Sequence, residues 1–142
     1  MLKLFIFVRS DLTSMTPGKA CAQVAHAASQ AARRLHDDQA YQAWEAAALS
    51  DRKPTSVYDK HTHESFGTTI VLNAGSGEQM DQLFFEKLEH YTTGCKGMIV
   101  DPGYPVRDGE VTHLIELPTC VWLFIDDSEP AVKKLMKNYQ LY

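Results

Sequence analysis

Three side chains that could take part in catalysis lie at helical spacing near the start of the chain: Lys19, Gln23 and His26. At about 100° per residue they fall on one face of a helix. A lysine can neutralise a phosphate or a developing oxyanion, a glutamine amide can position a carbonyl or a water, and a histidine can move a proton near neutral pH. These residue types suit an ester or phosphodiester substrate, although an ordinary solvated helix face would carry the same residues.

Asp101 is a fourth candidate, because it directly follows a predicted strand in the sequence IVDPGYP. Ligand crevices of α/β sheets form at the carboxyl ends of strands, where a carboxylate could orient a histidine or a water. Asp-Pro-Gly is equally typical of a turn. His61 and His63 have a metal-ligand spacing, but without further ligands nearby they favour a polar loop. The sequence has no Gly-rich nucleotide motif and no GxSxG element, and we expect neither a metal nor a cofactor.

The charge of the chain is unevenly distributed. The net charge of −4 argues against a general nucleic-acid binder. Yet residues 1–60 carry eight basic and six acidic side chains, whereas residues 61–142 carry six basic and twelve acidic ones. Before residue 37 the only acidic side chain is Asp11, and the basic ones are Lys3, Arg9, Lys19, Arg33 and Arg34. We therefore expect a polyanionic partner to meet the N-terminal quarter of the chain.

The composition is that of an ordinary globular protein: 142 residues, 44% hydrophobic and 23% charged, which excludes global disorder. The apolar run from Leu4 to Val8 is too short for a membrane span and has no cleavage site of a signal peptide. Cys21, Cys95 and Cys120 form no CxxC pair, which predicts free thiols in a reducing cytoplasm.

A strand and a long helix are predicted to position the N-terminal candidates. Residues 2–8 are almost entirely apolar, which is typical of a central strand buried on both faces. Thr16 as N-cap and Pro17 as first residue predict a helix that runs to about Leu35. Its polar face would carry Lys19, Gln23, His26, Gln30 and Arg33, and its apolar face Cys21, Val24, Ala28, Ala31 and Leu35. We therefore expect Cys21 in the core.

The remaining elements alternate between helices and strands. Helices are predicted over 37–50, over 77–91 behind a Ser76–Gln79 capping box, and from Pro130 with Ser128 as the cap. Strands are predicted over 68–72, 96–100 and 121–125, and an irregular segment over 51–67. This alternation predicts an α/β sandwich around a mixed sheet of about four strands, in one domain over residues 1–142.

The N-terminal motif resembles the type-2 peptidyl-tRNA hydrolases, the archaeal and eukaryotic class. The matching residues are Val8-Arg9-x-Asp11-Leu12 and Gly18-Lys19-x-x-Ala22-Gln23-x-x-His26-Ala27, and Asp101-x-Gly103 is similar to that family's Asp-Ala-Gly element. The resemblance implies a three-layer fold with helices on both faces of a four-stranded mixed sheet. It also implies hydrolysis of the ester between a peptide and the 3′ ribose of tRNA, in the cytoplasm and without metal or cofactor.

The resemblance also implies roles for individual residues. Carried over by position, it makes Lys19, Gln23, His26 and Asp101 the catalytic residues, with Asp11 supporting the loop. From the charge distribution we expect the tRNA substrate to contact Arg9, Asp11, Arg33 and Arg34, with Lys19 and Arg33 holding its phosphates. Gln23 and backbone amides are expected to stabilise the tetrahedral oxyanion. Either His26 or Asp101 would activate the water, and the sequence leaves that choice open.

Two regions depart from the family's pattern. Tyr104-Pro105-Val106 stands where the family has a short polar run containing Thr-Gln, and Thr112 or Thr119 could take the place of that threonine in space. Residues 110–119 form an insertion that could be a strand, a lid or an interface. The alternatives are an inactive module that binds tRNA or a protein on the same fold, and a hydrolase of another acyl ester. The oligomeric state stays open, a homodimer included.

Overall fold

The computed structural model describes residues 1–46, 66–91 and 95–142. Most of the predicted irregular segment lies outside these residues, and so do His61, His63 and residues 47–50 of the predicted second helix. No helix within the described ranges is long and apolar enough to cross a membrane.

Four strands form one mixed sheet: β1 (Leu2–Arg9), β2 (Thr69–Gly75), β3 (Lys96–Asp108) and β4 (Val111–Asp126). The strand order is β2-β1-β4-β3, with β1 parallel to β2, and β4 antiparallel to β1 and to β3. β1 is therefore central, and every side chain from Leu4 to Val8 is buried, as its apolar run predicts. The predicted α/β class with a four-stranded mixed sheet is confirmed.

Helices cover both faces of this sheet. The helical elements are α1 (Pro17–Leu35), α2 (Gln39–Ala46), α3 (Gly77–Gln82) with a π-helical turn after it (Leu83–Lys87), and α4 (Pro130–Met136). Leu4, Ile6 and Val8 pack on the side of α1 and α2, which we call the α1 face. Phe5 and Phe7 pack on the opposite side, the α3–α4 face. The predicted three-layer arrangement is confirmed.

The first helix has the predicted boundaries, but its buried face differs from the prediction. Thr16 caps the helix by accepting a hydrogen bond from the Lys19 N–H, and the helix ends at Leu35. The buried residues are Ala20, Gln23, Ala27, Ala31 and Leu35.

The placement of Cys21 in the core is wrong, because this cysteine is exposed. The reason is that α1 packs over β3 and β4 more than over β1. Cys21, Val24 and Ala28 therefore lie on the flank towards β2, where they line an open apolar groove beside Val71. Gln23, which was expected on the polar face of the helix, is buried, with 3% of its surface exposed.

One helix begins later than predicted, and another has a different N-cap residue. The second helix begins at Gln39 rather than residue 37, because the Asp38 carboxylate caps it by accepting a hydrogen bond from the Tyr41 N–H at 2.9 Å. The last helix begins at Pro130 as predicted, but its N-cap residue is Glu129 rather than Ser128.

The cap prediction at Ser128 fails because this residue belongs to the preceding turn. Its N–H donates to the Asp126 carboxylate at 2.8 Å, so the chain is still turning away from β4 there. The helix after β2 has the predicted capping box of Ser76 and Gln79. Its α-helical part ends at Gln82 and passes into the π-helical turn, earlier than the predicted end at residue 91.

The last two strands are much longer than predicted. Instead of residues 96–100 and 121–125, they span Lys96–Asp108 and Val111–Asp126 and form one antiparallel hairpin. Its two-residue turn contains Gly109, whose φ of +59° is the conformation that a tight hairpin turn needs and that glycine adopts readily. Of the insertion at 110–119, Glu110 therefore lies in the hairpin turn and residues 111–119 are part of a strand.

Candidate functional site

The hairpin of β3 and β4 carries two β-bulges on facing strands, and both lie next to α1. In a regular strand, successive side chains point to opposite faces of the sheet. Cys120, Trp122 and Phe124 face α1, so Thr119 would face the other side. The register instead passes from Ile99↔Cys120 to Val100↔Pro118, which makes Thr119 the extra residue of a bulge. The bulge turns its side chain towards α1.

A second bulge lies on β3. The register runs from Asp101↔Leu117 to Tyr104↔Ile115, which is three steps on β3 against two on β4. Asp101 and Tyr104 would point to opposite faces of a regular strand, because they are three residues apart. With the extra residue between them, both side chains contact α1 or the loop before it.

Gln23 connects the two bulges. Its amide Nε2 donates to the Asp101 carboxylate at 2.7 Å, and its Oε1 accepts from the Thr119 hydroxyl at 2.6 Å. Gln23 and Thr119 are both buried, so these bonds satisfy polar groups that would otherwise destabilise the fold. The two bonds also fix which end of the amide points to which partner. We call Thr119, Gln23 and Asp101 the buried triad.

Asp101 is held as a carboxylate. Partial burial raises its pKa, but hydrogen bonds from the Gly103 N–H, at 2.9 Å, and from Gln23 lower it, as does the charge of nearby His26. The net effect is a pKa below the ordinary value of 3.8. A carboxylate with a lowered pKa is a weak proton acceptor at neutral pH, and its suitable roles are orientation and electrostatic stabilisation.

Lys19 lies one helical turn before Gln23, and its ammonium contacts the same hairpin. Its Nζ donates to the carbonyl of Pro105 at 3.3 Å. The same atom lies 5.4 Å from the centroid of the Tyr104 ring, within the range of a cation–π contact.

A cleft of about 220 Å³ continues from Asp101 along α1. Its lining residues from the helix are His26, Gln30 and Arg33, and those from β3 are Ile99, Val100, Asp101 and Pro102. We call it the α1–β3 cleft. His26 is exposed there and contributes to the electrostatic environment of Asp101. The cleft thus brings a proton-transfer group, a carboxylate and a cation to one surface.

Arg9 and Asp11 have internal partners. Two guanidinium nitrogens of Arg9 donate to the Asp11 carboxylate at 2.9 Å each, and a third donates to the carbonyl of Pro118 at 3.1 Å. Asp11 also accepts from the Gly77 N–H at 3.2 Å, and the Arg9 guanidinium is the main cause of its lowered pKa. These contacts tie the end of β1 to the residue that precedes Thr119.

The two arginines at the end of α1 are exposed. Arg33 lines the α1–β3 cleft, whereas Arg34 lies 6.0 Å from the Trp122 ring and donates to the Lys96 carbonyl at 3.5 Å. Both guanidinium groups therefore lie on the helix flank that carries His26.

Cys120 is adjacent to the buried triad, and its environment makes it unreactive. Its thiol lies 3.4 Å from the Gln23 carbonyl oxygen, and burial raises its pKa to about 12. A neutral buried thiol is a poor nucleophile. Within the described ranges, no group of three or more His, Cys, Asp or Glu side chains could hold a metal ion.

The structure places the two threonines Thr112 and Thr119 in different surroundings. Thr119 belongs to the buried triad, whereas Thr112 is exposed on the outer part of the hairpin opposite Arg107. Tyr104, which contacts Lys19 and Ser14, was not predicted as a site residue. Strand alternation could not have found it, since the bulge reverses the face to which it points.

The fold and this cluster define a three-layer α/β protein with an amide–carboxylate site between its first helix and its β3–β4 hairpin. The family model described as "Peptidyl-tRNA hydrolase PTH2" matches residues 2–142, so the chain belongs to the PTH2 family of peptidyl-tRNA hydrolases. Comparison with curated protein sequences found no significant match. The family predicted from the N-terminal motif is confirmed, and the match includes the extended hairpin.

Proposed function

We propose that this protein hydrolyses the ester bond of peptidyl-tRNA in the cytoplasm, releasing free tRNA and the peptide. Family membership supports a peptidyl-tRNA hydrolase in general. The observation that carries the proposal for this chain is the buried triad, which holds the Asp101 carboxylate at the head of the α1–β3 cleft. Lys19 lies one helical turn before Gln23 of this triad. A binding surface alone would not need two opposed bulges to orient one amide.

In the proposed reaction, His26 takes a proton from water as the water oxygen attacks the ester carbonyl carbon. Asp101 stabilises the resulting imidazolium, which agrees with its lowered pKa and with its electrostatic interaction with His26. Lys19 stabilises the oxyanion of the tetrahedral intermediate. The intermediate then collapses, and the 3′ ribose oxygen leaves with the proton that His26 returns.

This assignment gives Gln23 a different role from the one expected. Its amide oxygen and one N–H are engaged by Thr119 and Asp101, and the residue is 3% exposed. We therefore assign it to positioning Asp101 rather than to binding the oxyanion. Arg33 and Arg34 are proposed to contact tRNA phosphates, which position a nucleic acid without specifying sequence. Arg9 and Asp11 would support the hairpin.

The test is release of free tRNA from purified N-acetyl-aminoacyl-tRNA at low salt. Wild type and Lys19→Ala are compared, and Lys87→Ala, on the α3–α4 face, serves as the matched control. We expect turnover by wild type and by the control, and a loss of about 100- to 1000-fold in kcat for Lys19→Ala, because that is the usual effect of removing one oxyanion-stabilising group.

The other outcomes point to different functions. Binding of tRNA without cleavage, with an affinity that falls steeply with salt, would establish a tRNA-binding module instead. Cleavage of small acyl esters without tRNA affinity would establish a hydrolase of another substrate. Equal turnover by wild type and Lys19→Ala would remove Lys19 from the catalytic residues.

A further inference from the structure

We propose that Tyr104 and Pro105 form a seat for the ammonium group of Lys19, and that Tyr104 is a positioning residue for catalysis. The catalytic part of this inference rests on the proposed function, whereas the seat itself is a statement about geometry. We call Tyr104 and Pro105 the lysine seat.

The lysine seat contacts the ammonium in two ways. The Pro105 carbonyl accepts one hydrogen bond from Nζ at 3.3 Å, and the Tyr104 ring lies 5.4 Å from the same atom. A lysine ammonium has three N–H donors, and an aromatic ring attracts it electrostatically without needing one of them. The seat therefore restrains the ammonium and leaves two donors for a substrate oxyanion.

Tyr104 is itself held in place. It is fully buried, although the two residues before it on the hairpin strand, Pro102 and Gly103, are exposed. Its hydroxyl lies 3.2 Å from the Ser14 hydroxyl and 3.7 Å from the Met15 sulfur, both in the loop before α1. The ring is thus clamped between the loop and the helix, and a flexible lysine gains a rigid partner.

The bulge couples this seat to the buried triad. Asp101 and Tyr104 lie at its two ends and face α1 together, where they meet Gln23 and Lys19, one turn apart on the helix. A single backbone irregularity thereby sets the carboxylate and the ammonium at a fixed separation.

The kinetic test compares Tyr104→Phe with Tyr104→Leu in the tRNA-release assay. Phenylalanine keeps the ring and the burial but loses the hydroxyl, and we expect kcat to stay within about twofold of wild type. Leucine removes the ring face, and we expect kcat to fall about three- to thirtyfold, the range of a partly desolvated cation–π contact, with KM changed less than about twofold.

Tyr139→Leu is the matched control, because Tyr139 has the same kind of contact with Lys87, at 5.7 Å, on the other face of the sheet. We expect this variant to lose stability but to keep kcat for the folded protein. If it lowered kcat as much as Tyr104→Leu does, the effect would be general destabilisation, and the positioning role would be overturned.

A spectroscopic measurement tests the seat without any activity. In protein labelled with ¹³C at lysine, the ε-methylene signal of Lys19 is assigned by its disappearance in Lys19→Arg. We expect the ring current of Tyr104 to shift this signal upfield. The shift should persist in Tyr104→Phe and vanish in Tyr104→Leu. An unshifted signal in wild type would overturn the seat whether or not the leucine variant folds.

The two proposals fail separately. A shifted Lys19 signal in a wild type that does not cleave peptidyl-tRNA would overturn the hydrolase, and with it the catalytic role of Tyr104, while the seat stands. A cleaving enzyme whose kcat is unchanged in folded Tyr104→Leu would overturn the positioning role and leave the hydrolase intact.

Discussion

The two faces of the sheet are built differently. The α3–α4 face has an apolar core in which large side chains such as Phe7, Met80 and Leu83 are fully buried. The α1 face also buries large side chains such as Trp122, but α1 itself contributes small ones, Ala27 and Ala31 among them, so that this helix can approach the sheet closely. Among the residues that the structure describes, the buried polar side chains are Gln23 and Thr119, and both lie on the α1 face.

The α3–α4 face of the sheet therefore contributes mainly to stability, whereas the α1 face also carries the candidate site. Large apolar side chains on the α3–α4 face contribute burial free energy without specifying any polar geometry. On the α1 face, part of that apolar burial is replaced by the hydrogen-bonded amide of Gln23, which fixes the orientation of Asp101. Substitutions on the two faces should therefore have different effects on stability and on turnover.

The largest effect on stability is expected for Leu83→Ala on the α3–α4 face. Leu83 is fully buried, and deletion of such a side chain usually lowers the free energy of unfolding by about 2–5 kcal/mol. Urea unfolding monitored by circular dichroism measures this loss. The kcat per folded molecule should not change, and a kcat that falls with the stability would contradict the separation of the two faces.

The next largest effect is expected for Thr119→Val, which keeps the shape of the side chain and removes its hydroxyl. The Gln23 oxygen is then buried without its partner, which costs about 1–3 kcal/mol of unfolding free energy. Because Asp101 loses its fixed orientation, we expect kcat to fall about tenfold or more. Thr112→Val, on the exposed end of the hairpin, is the control and should change neither quantity. Equal behaviour of the two valine variants would show that the buried triad does not matter.

A smaller effect is expected for Arg33→Ala, which should weaken tRNA binding about three- to tenfold at low salt. If Arg33 contacts a phosphate, the slope of log affinity against log salt should fall by about one ion as well. Filter binding over a salt series measures both. Lys133→Ala, from the α3–α4 face, should leave the slope unchanged. The same loss in both variants would mean that tRNA binding is not specific to the α1 face.

The smallest effect is the pH dependence contributed by Asp101. Since its folded pKa lies below the ordinary 3.8, its stabilising contribution is complete above that value and is lost as the pH falls through the folded pKa. The difference in unfolding free energy between wild type and Asp101→Asn should therefore be constant from about pH 5 to 7 and shrink below about pH 4. A difference that instead grew towards low pH would mean that the pKa of Asp101 is raised.

Much of the fold could be predicted from local signals. The apolar run of β1, the Thr16–Pro17 start of α1 and the capping box at Ser76 and Gln79 each depend on a few adjacent residues, and each is where the sequence indicates. The long hairpin could not be predicted in this way, because its outer residues are held by cross-strand pairing rather than by burial. Alternation of polar and apolar residues is weak where both faces of a strand are exposed.

The candidate site shows the same division. Lys19, Gln23 and His26 could be grouped by helical spacing, but the depth of Gln23 depended on how α1 is tilted over the sheet. Thr119 and Tyr104 could not be assigned to a face, because each lies at a bulge that breaks the two-residue period. Local sequence patterns predict which helices and strands exist, whereas the bulges within β3 and β4 decide which side chains contact each other.

The hairpin also separates a part of the chain that must keep its length from a part that need not. In the inner part of the hairpin, residues 101–105 and 114–119, loss or gain of a single residue would exchange the inward and outward sides of a strand. Beyond the Lys19 contact, the pairs from Val106↔His113 to Asp108↔Val111 hold none of the site residues. Whole pairs could be added or removed at the Gly109 turn while the site keeps its register. The tip is therefore the place where sequences of this type can diverge in length, and acquire contacts of their own, under little constraint from the chemistry.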